Sequence, residues 1–196
     1  MFAKLTSVRS ALAALSIAGA MVCGLIAPTQ ASAQIPYLQM NVAEPKYAAI
    51  VIDANSGEML YDKRADSPRY PASVTKIMTL YLTFEALSEG RLKLTDRVPI
   101  SSHAAAQAPT KLGLSVGDSV SVDEAIRAMT VKSANDIAVA MAERLGGSES
   151  RFAALMTLRG QELGMRNSRF VNASGLPDSR QISTARDLAI LSRATM

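Results

Sequence analysis

The sequence predicts an α+β fold, one antiparallel hairpin followed by four or five helices. Two observations predict it. A strand-type run, Tyr47 to Asp53, is followed by a turn and a second run, Met59 to Lys63, which together make a hairpin. Beyond that hairpin, apolar residues recur at helical spacing in four or five segments, marked off by capping residues and glycines.

In the hairpin, Tyr47-Ala48-Ala49-Ile50-Val51-Ile52-Asp53 is short and rich in β-branched residues. Asn55-Ser56-Gly57-Glu58 supplies the turn. Asp66 to Tyr70 reads as a loop, and Pro71 leads into the first helix. There Val74, Ile77, Met78, Tyr81, Leu82, Phe84 and Leu87 keep helical spacing until Gly90. Arg97-Val98-Pro99-Ile100 suggests a short strand, which Pro99 confines to an edge or a loop. Ser101 to Gly117 is polar and rich in small residues, so it is expected to be loop, with His103 exposed on it.

Ser121-Val122-Asp123-Glu124 is a capping box, with Ala125, Ile126 and Met129 forming the apolar side of the helix it opens. Ile137 to Ala142 is apolar nearly all round, which predicts a buried helix ended by Gly146-Gly147. The next helix is expected from about Ser148 to Leu163, with Phe152, Leu155 and Met156 inward and Gly164 as its cap. Residues 169–178 carry turn chemistry, and Ser183 is expected to cap a last helix from Thr184 to Met196.

Residues 1–33 stand apart from this fold. Lys4 and Arg9 form a basic start, Ala11 to Ala27 a small apolar core, and Ala31-Ser32-Ala33 a cleavage pattern. The segment reads as a secretory signal, with residues 34–196 as the mature chain. Cys23, the single cysteine, lies inside it, so the mature chain has neither a disulfide nor a thiol nucleophile. Removing the leader lowers the formal charge from +4 to +2, too little to argue for a nucleic-acid partner. His103 is the only histidine, so a histidine-based triad or a multi-histidine metal site has little to work with, and no metal or cofactor is expected. A serine enzyme built from this chain would need lysine as its base.

Pro71-Ala72-Ser73-Val74-Thr75-Lys76 supplies that combination. Ser73 falls at the first turn of a helix, with Lys76 on the same face. A free lysine has a pKa of about 10.4, whereas a useful base needs about 7–8, a gap of about 4 kcal/mol. A helix terminus supplies about 0.3–1 kcal/mol, so burial or a second cation must supply the rest. The fold is therefore expected to close a pocket over Lys76. A second pair, Ser133 and Asn135, flanks one alanine between two helices. In an extended connection both side chains face one cleft, where a hydroxyl relays a proton and a carboxamide holds a peptide amide. Alone, either residue reads equally as the N-cap of the following helix.

Ser73-x-x-Lys76, followed 60 residues later by Ser133-x-Asn135, resembles the penicillin-recognising serine enzymes. Within that group the chain is similar to the D-alanyl-D-alanine carboxypeptidases, the low-molecular-mass penicillin-binding proteins. Ile52 to Gly57, Pro71 to Thr79, Ser133 to Asp136, Phe170 to Leu176 and Ser183 to Ala189 carry the likeness, which runs from about Lys46 to the last residue. The resemblance implies a DD-peptidase/β-lactamase-like fold, a helical region packed on an antiparallel sheet of about five strands, with the active site between them. It also implies a periplasmic enzyme that trims the terminal D-alanine from peptidoglycan stem peptides and is inhibited by β-lactams. Ser73 would be the acyl-ester nucleophile and Lys76 its proton acceptor. Ser133 would pass the proton to the departing D-alanine, Asn135 would bind the stem peptide, and the Ser73 backbone N–H would serve the oxyanion hole. The Asn172 to Leu176 loop would shape the cleft.

One motif of the group is missing. No Lys-Thr-Gly follows Asn135, and Lys111-Leu112-Gly113 has the wrong middle residue. The chain is therefore expected to be the N-terminal portion of the catalytic domain, truncated before the later strands and without the C-terminal anchor that would hold it to the inner membrane. Two other readings follow from the same residues. One is a non-catalytic module binding wall peptides or β-lactams. The other is a class A β-lactamase, which the absence of Glu and Asp from Arg166 to Asn172 disfavours.

Overall fold

A computed structural model describes residues 46–196. The expected signal segment, residues 1–33, lies outside the described residues. The fold is α+β. Strand β1 (Ala49–Ile52) pairs antiparallel with β2 (Met59–Lys63), Ala49 opposite Lys63 and Ile52 opposite Met59, with a register irregularity after Val51. At the turn, the Asp53 carboxylate accepts from the Asn55 and Ser56 amides and from the Ser56 hydroxyl, as an Asx turn requires. A 3₁₀ turn, Ala72–Thr75, runs directly into α1 (Lys76–Ser88).

Strand β3 (Arg97–Pro99) then pairs antiparallel with β4 (Ser119–Ser121). The segment between them is not all loop, as the sequence suggests. Ser101 caps a short helix, α2 (Ser102–Ala105), by accepting from the Ala104 amide at 3.0 Å, and it is Ala104 that is buried. His103 lies on this helix, its Nε2 2.7 Å from Glu149 Oε2. Helix α3 (Val122–Val131) opens with the anticipated capping box. Ser121 Oγ accepts the Glu124 amide and Glu124 Oε2 accepts the Ser121 amide.

Helix α4 (Asn135–Gly146) is the centre of the core, since Ile137 through Met141 and Ala142 are fully buried. Its small side chains allow α1, α2, α3 and α5 to pack around it. Gly147, at φ 76°, ends it in the left-handed conformation. Helix α5 (Glu149–Leu163) starts at the Ser148 cap and buries Phe152 and Met156, while Leu155, expected inward, is exposed. Helix α6 (Ala185–Thr195) packs on α1 and on β1. Its guanidinium groups tie the hairpin down, Arg186 to Asp62 and Asp66, and Arg193 to the Ala54 and Asn55 carbonyls.

Among the described residues the strands form two separate two-stranded sheets rather than one larger antiparallel sheet. The cap of α6 is Thr184, one residue later than expected, because Ser183 is committed elsewhere. Ser183 bridges in antiparallel fashion to Arg69 and lies 2.8 Å from the Ser168 hydroxyl. Asp187, almost fully buried, accepts from the Asn167 amide at 2.8 Å and the Ser168 hydroxyl at 2.7 Å. Asp187→Ala strands both donors, at about 1–3 kcal/mol for each one left unsatisfied. The expected result is a lower urea midpoint at unchanged m value. An unshifted midpoint would show that water replaces the carboxylate without cost.

Candidate active site

The centre of the site is Lys76. Ser73 lies in the 3₁₀ turn and Lys76 is the first residue of α1. In a 3₁₀ turn residues three apart eclipse one another, so the two side chains share a face. Ser73 is exposed, whereas Lys76 is only 3% exposed. Lys76 Nζ lies 3.5 Å from Ser73 Oγ, 2.7 Å from Asn135 Oδ1 and 2.6 Å from the Ser174 carbonyl oxygen. Burial pushes the ammonium down to about 8, because a low-dielectric surrounding disfavours the charged form. Among the described residues no second cation contributes to that shift.

The connection before α4 brings Asn135 to this point, though not as an extended segment. Ser133 has φ 56°, in the left-handed region, and Asn135 is already the first residue of the helix. The N-cap is Ala134, which has no side-chain cap, so neither Ser133 nor Asn135 serves as one. A neighbouring loop holds the connection in place. Thr110 Oγ1 donates to the Ser133 carbonyl, and the Asn135 amide donates to the Thr110 carbonyl. Asn135 Nδ2 donates to the Ala108 carbonyl, and Asp136 accepts from the Leu112 and Gly113 amides. Ser133 Oγ is buried and has no hydrogen-bond partner among the described residues.

The third wall is the loop 171–176, which runs beside the nucleophile turn and α1. The Ala173 carbonyl accepts from Thr79 Oγ1, and the Ser174 carbonyl accepts from Lys76. Gly175, at φ 88°, comes so close to the Ala72 carbonyl that a side chain there would overlap it. Ala72 itself has φ 47°. The family resemblance implies this loop at the cleft, but not its direct contact with the lysine. A backbone carbonyl carries no residue-type signature, so only the spacing of the Asn172-Ala173-Ser174-Gly175 turn hints at it.

The structure thus brings Ser73, Lys76 and Asn135 into one hydrogen-bonded group and adds the Ser174 carbonyl. It gives Ser133 no hydrogen bond to Ser73 or Lys76. In front of the turn a cavity of about 390 Å³ is lined by Tyr70, Pro71, Ala72, Leu176, Pro177 and Asp178, among others.

Comparisons with known proteins place the chain in a family. Residues 38–196 match the family model described as D-alanyl-D-alanine carboxypeptidase. The chain is 38% identical over 152 residues to the D-alanyl-D-alanine carboxypeptidase DacF of Bacillus subtilis, covering 78% of this chain and 39% of that one. It is 37% identical over 186 residues to DacC of Escherichia coli, covering 90% of this chain and 45% of that one. Among solved structures, the carboxypeptidase DacD from Francisella tularensis superposes with a TM-score of 0.74 at 37% identity, over 76% of this chain and 36% of that one. Penicillin binding protein 5 from Haemophilus influenzae gives 0.71 at 36% identity, over 74% and 43%. The chain spans less than half the length of each of these proteins. With a family model matched over most of its length, and the serine, lysine and asparagine of the two motifs gathered at one point, the chain belongs to the D-alanyl-D-alanine carboxypeptidase family.

Proposed function

We propose that this chain supplies the nucleophile half of a serine D-alanyl-D-alanine carboxypeptidase, which removes the terminal D-alanine of peptidoglycan stem peptides through an acyl-enzyme and is acylated by penicillin at the same serine. The observation that carries the reading is the triple contact of Lys76 Nζ. A neutral amine has two N–H groups and one lone pair. Asn135 Oδ1 and the Ser174 carbonyl take the two N–H groups at short range. The lone pair is then left for the third neighbour, Ser73 Oγ, as a general base requires. The 3.5 Å separation is long for a hydrogen bond, as is usual before substrate tightens a site.

In the forward step Ser73 Oγ attacks the carbonyl of the penultimate D-alanine while Lys76 takes its proton. The C–N bond then breaks, and the proton passes to the departing amine by way of the Ser133 hydroxyl. That hydroxyl has no protein partner among the described residues and is free to serve. Water hydrolyses the ester in the second half. Asn135 keeps one amide hydrogen beyond the bond to Ala108 and offers it to the stem peptide. A periplasmic site of action is supported by the basic, apolar and Ala-Ser-Ala pattern of residues 1–33.

The test is labelling with a fluorescent penicillin, mapping of the adduct by mass spectrometry, and measurement of D-alanine release across pH. The adduct is expected on Ser73. Because the base is the neutral amine and its pKa is about 8, acylation should rise about tenfold per pH unit below 8 and level off above it. A flat profile between pH 6 and 9, or an adduct elsewhere, would overturn the assignment. A folded chain that binds penicillin reversibly and forms no adduct would instead support the non-catalytic binding module.

A further inference from the structure

We propose that Gln181 is a positioning residue, whose carboxamide clamps the 171–176 loop to the nucleophile turn and so holds the Ser174 carbonyl at Lys76. The inference rests on the reading of Lys76 as the base. Gln181 is outside every motif discussed above and is 2% exposed. Its Oε1 accepts from the Val171 amide at 3.0 Å and from the Asn172 amide at 3.0 Å. Its Nε2 donates to Asn172 Oδ1 at 3.1 Å and to Thr75 Oγ1 at 3.3 Å. These four contacts use both donors and both lone-pair directions of the carboxamide.

The two ends of the clamp explain its consequence. On the loop side, Asn172 closes the turn on itself. Its Oδ1 accepts from the Gly175 amide at 2.8 Å and its Nδ2 donates to the Leu176 carbonyl at 2.9 Å. Gln181 grips the loop at this closed turn, so Ala173, Ser174 and Gly175 move with it. On the other side, Thr75 is fully buried and lies between Ser73 and Lys76 in the chain. The clamp therefore joins the residue next to the base to the loop whose carbonyl accepts the base's hydrogen. Ser174 O has no side chain to hold it, and its 2.6 Å contact with Nζ depends on where the whole loop sits. A saturated, buried carboxamide is rigid, because any rotation strands polar atoms in the interior.

The experiment uses Gln181→Met, of similar volume with no polar atoms, and Thr75→Val, which removes the other end of the same link. Three readouts are followed: the second-order rate of penicillin acylation, the thermal midpoint, and the pKa of Lys76 by NMR of ¹³Cε-labelled lysine. The expected result is that both variants fold, that Lys76 titrates above the wild-type value, and that acylation at pH 7 falls about tenfold for each unit of that rise. The double variant should lose no more than the more affected single one, since both break one link. Should Gln181→Met fail to fold, Thr75→Val carries the test alone. A lower thermal midpoint with unchanged Lys76 titration and acylation would overturn the inference and leave the proposed function standing. A rise in the Lys76 pKa in both variants, with no acylation even in the wild type, would support the clamp and overturn the enzymatic reading.

Discussion

Replacing Lys76 with alanine lowers the rate of Ser73 acylation by about 10²–10⁴, the usual range for a lost general base. The effect should fall on the acylation step and leave reversible binding nearly unchanged, because Lys76 is buried behind Ser73 rather than exposed to the cleft. Its loss also removes the rise in rate through pH 8, so the two profiles converge at low pH, where the wild-type amine is protonated. Lys76→Arg is expected to be as poor as alanine, since guanidinium stays charged above pH 12 and cannot accept the proton. Stopped-flow acylation with a fluorescent penicillin measures the wild type and both Lys76 variants, with Ser73→Ala as the blank that forms no adduct. An arginine variant as fast as the wild type would show that the base lies elsewhere.

Gly175→Ala is expected to be the most damaging single-methyl change in the described residues. Two costs add. An L-residue held in the left-handed region costs about 1–2 kcal/mol. A methyl forced against a packed backbone costs about 1–3 kcal/mol more, and here the obstacle is the Ala72 carbonyl, which cannot swing away like a side-chain end. At about 2–4 °C per kcal/mol for a domain of this size, the thermal midpoint should fall by roughly 4–20 °C. Ser73 is the next residue after Ala72, so the displaced turn should slow acylation even in the fraction that stays folded. Differential scanning calorimetry checks the first part and active-fraction titration with penicillin the second. An alanine variant that melts with the wild type would mean that loop and turn can part without loss.

The helical half of the fold was legible because its signals are local. The Ser121–Glu124 capping box, the apolar run of α4 and the closing Gly147 and Gly164 each act within one or two turns of the chain. The hairpin was legible for the same reason. Strand β4 was not, because Ser119-Val120-Ser121 has a single apolar residue and exists by pairing with β3, some twenty residues back. Helix α2 has only four residues and one buried alanine, too little for any periodicity. Thr184 and Ser183 are both hydroxyl residues, and only the tertiary bridge from Ser183 to Arg69 decides which one caps α6.

The candidate site divides along the same line. Motif spacing grouped Ser73, Lys76, Ser133 and Asn135, and the structure joins all of these but Ser133 by hydrogen bonds. The left-handed turn at Ser133 could not be read from the sequence, because nothing in Ser-Ala-Asn requires it and the Thr110 hydroxyl that bonds its carbonyl comes from a distant loop. Neither could the carbonyl of Ser174 or the carboxamide of Gln181, whose contacts are made across the fold. The need to bury Lys76 did follow from the energetics of a lysine base. Among the described residues burial alone produces the shift, without a second cation.

Two of the three non-glycine residues at positive φ among those described, Ala72 and Ser133, stand at the two approaches to Lys76. Each conformation costs on the order of 1–3 kcal/mol that glycine would largely avoid. Selection for stability and selection for reactivity therefore pull these positions in opposite directions. Glycine at 133 would relax the chain and delete the hydroxyl, and glycine at 72 would release the turn that aims Ser73. A redesign guided only by melting temperature would accept both changes and lose the hydroxyl and the turn on which the proposed mechanism rests, so this pair marks where such a search should be forbidden to go.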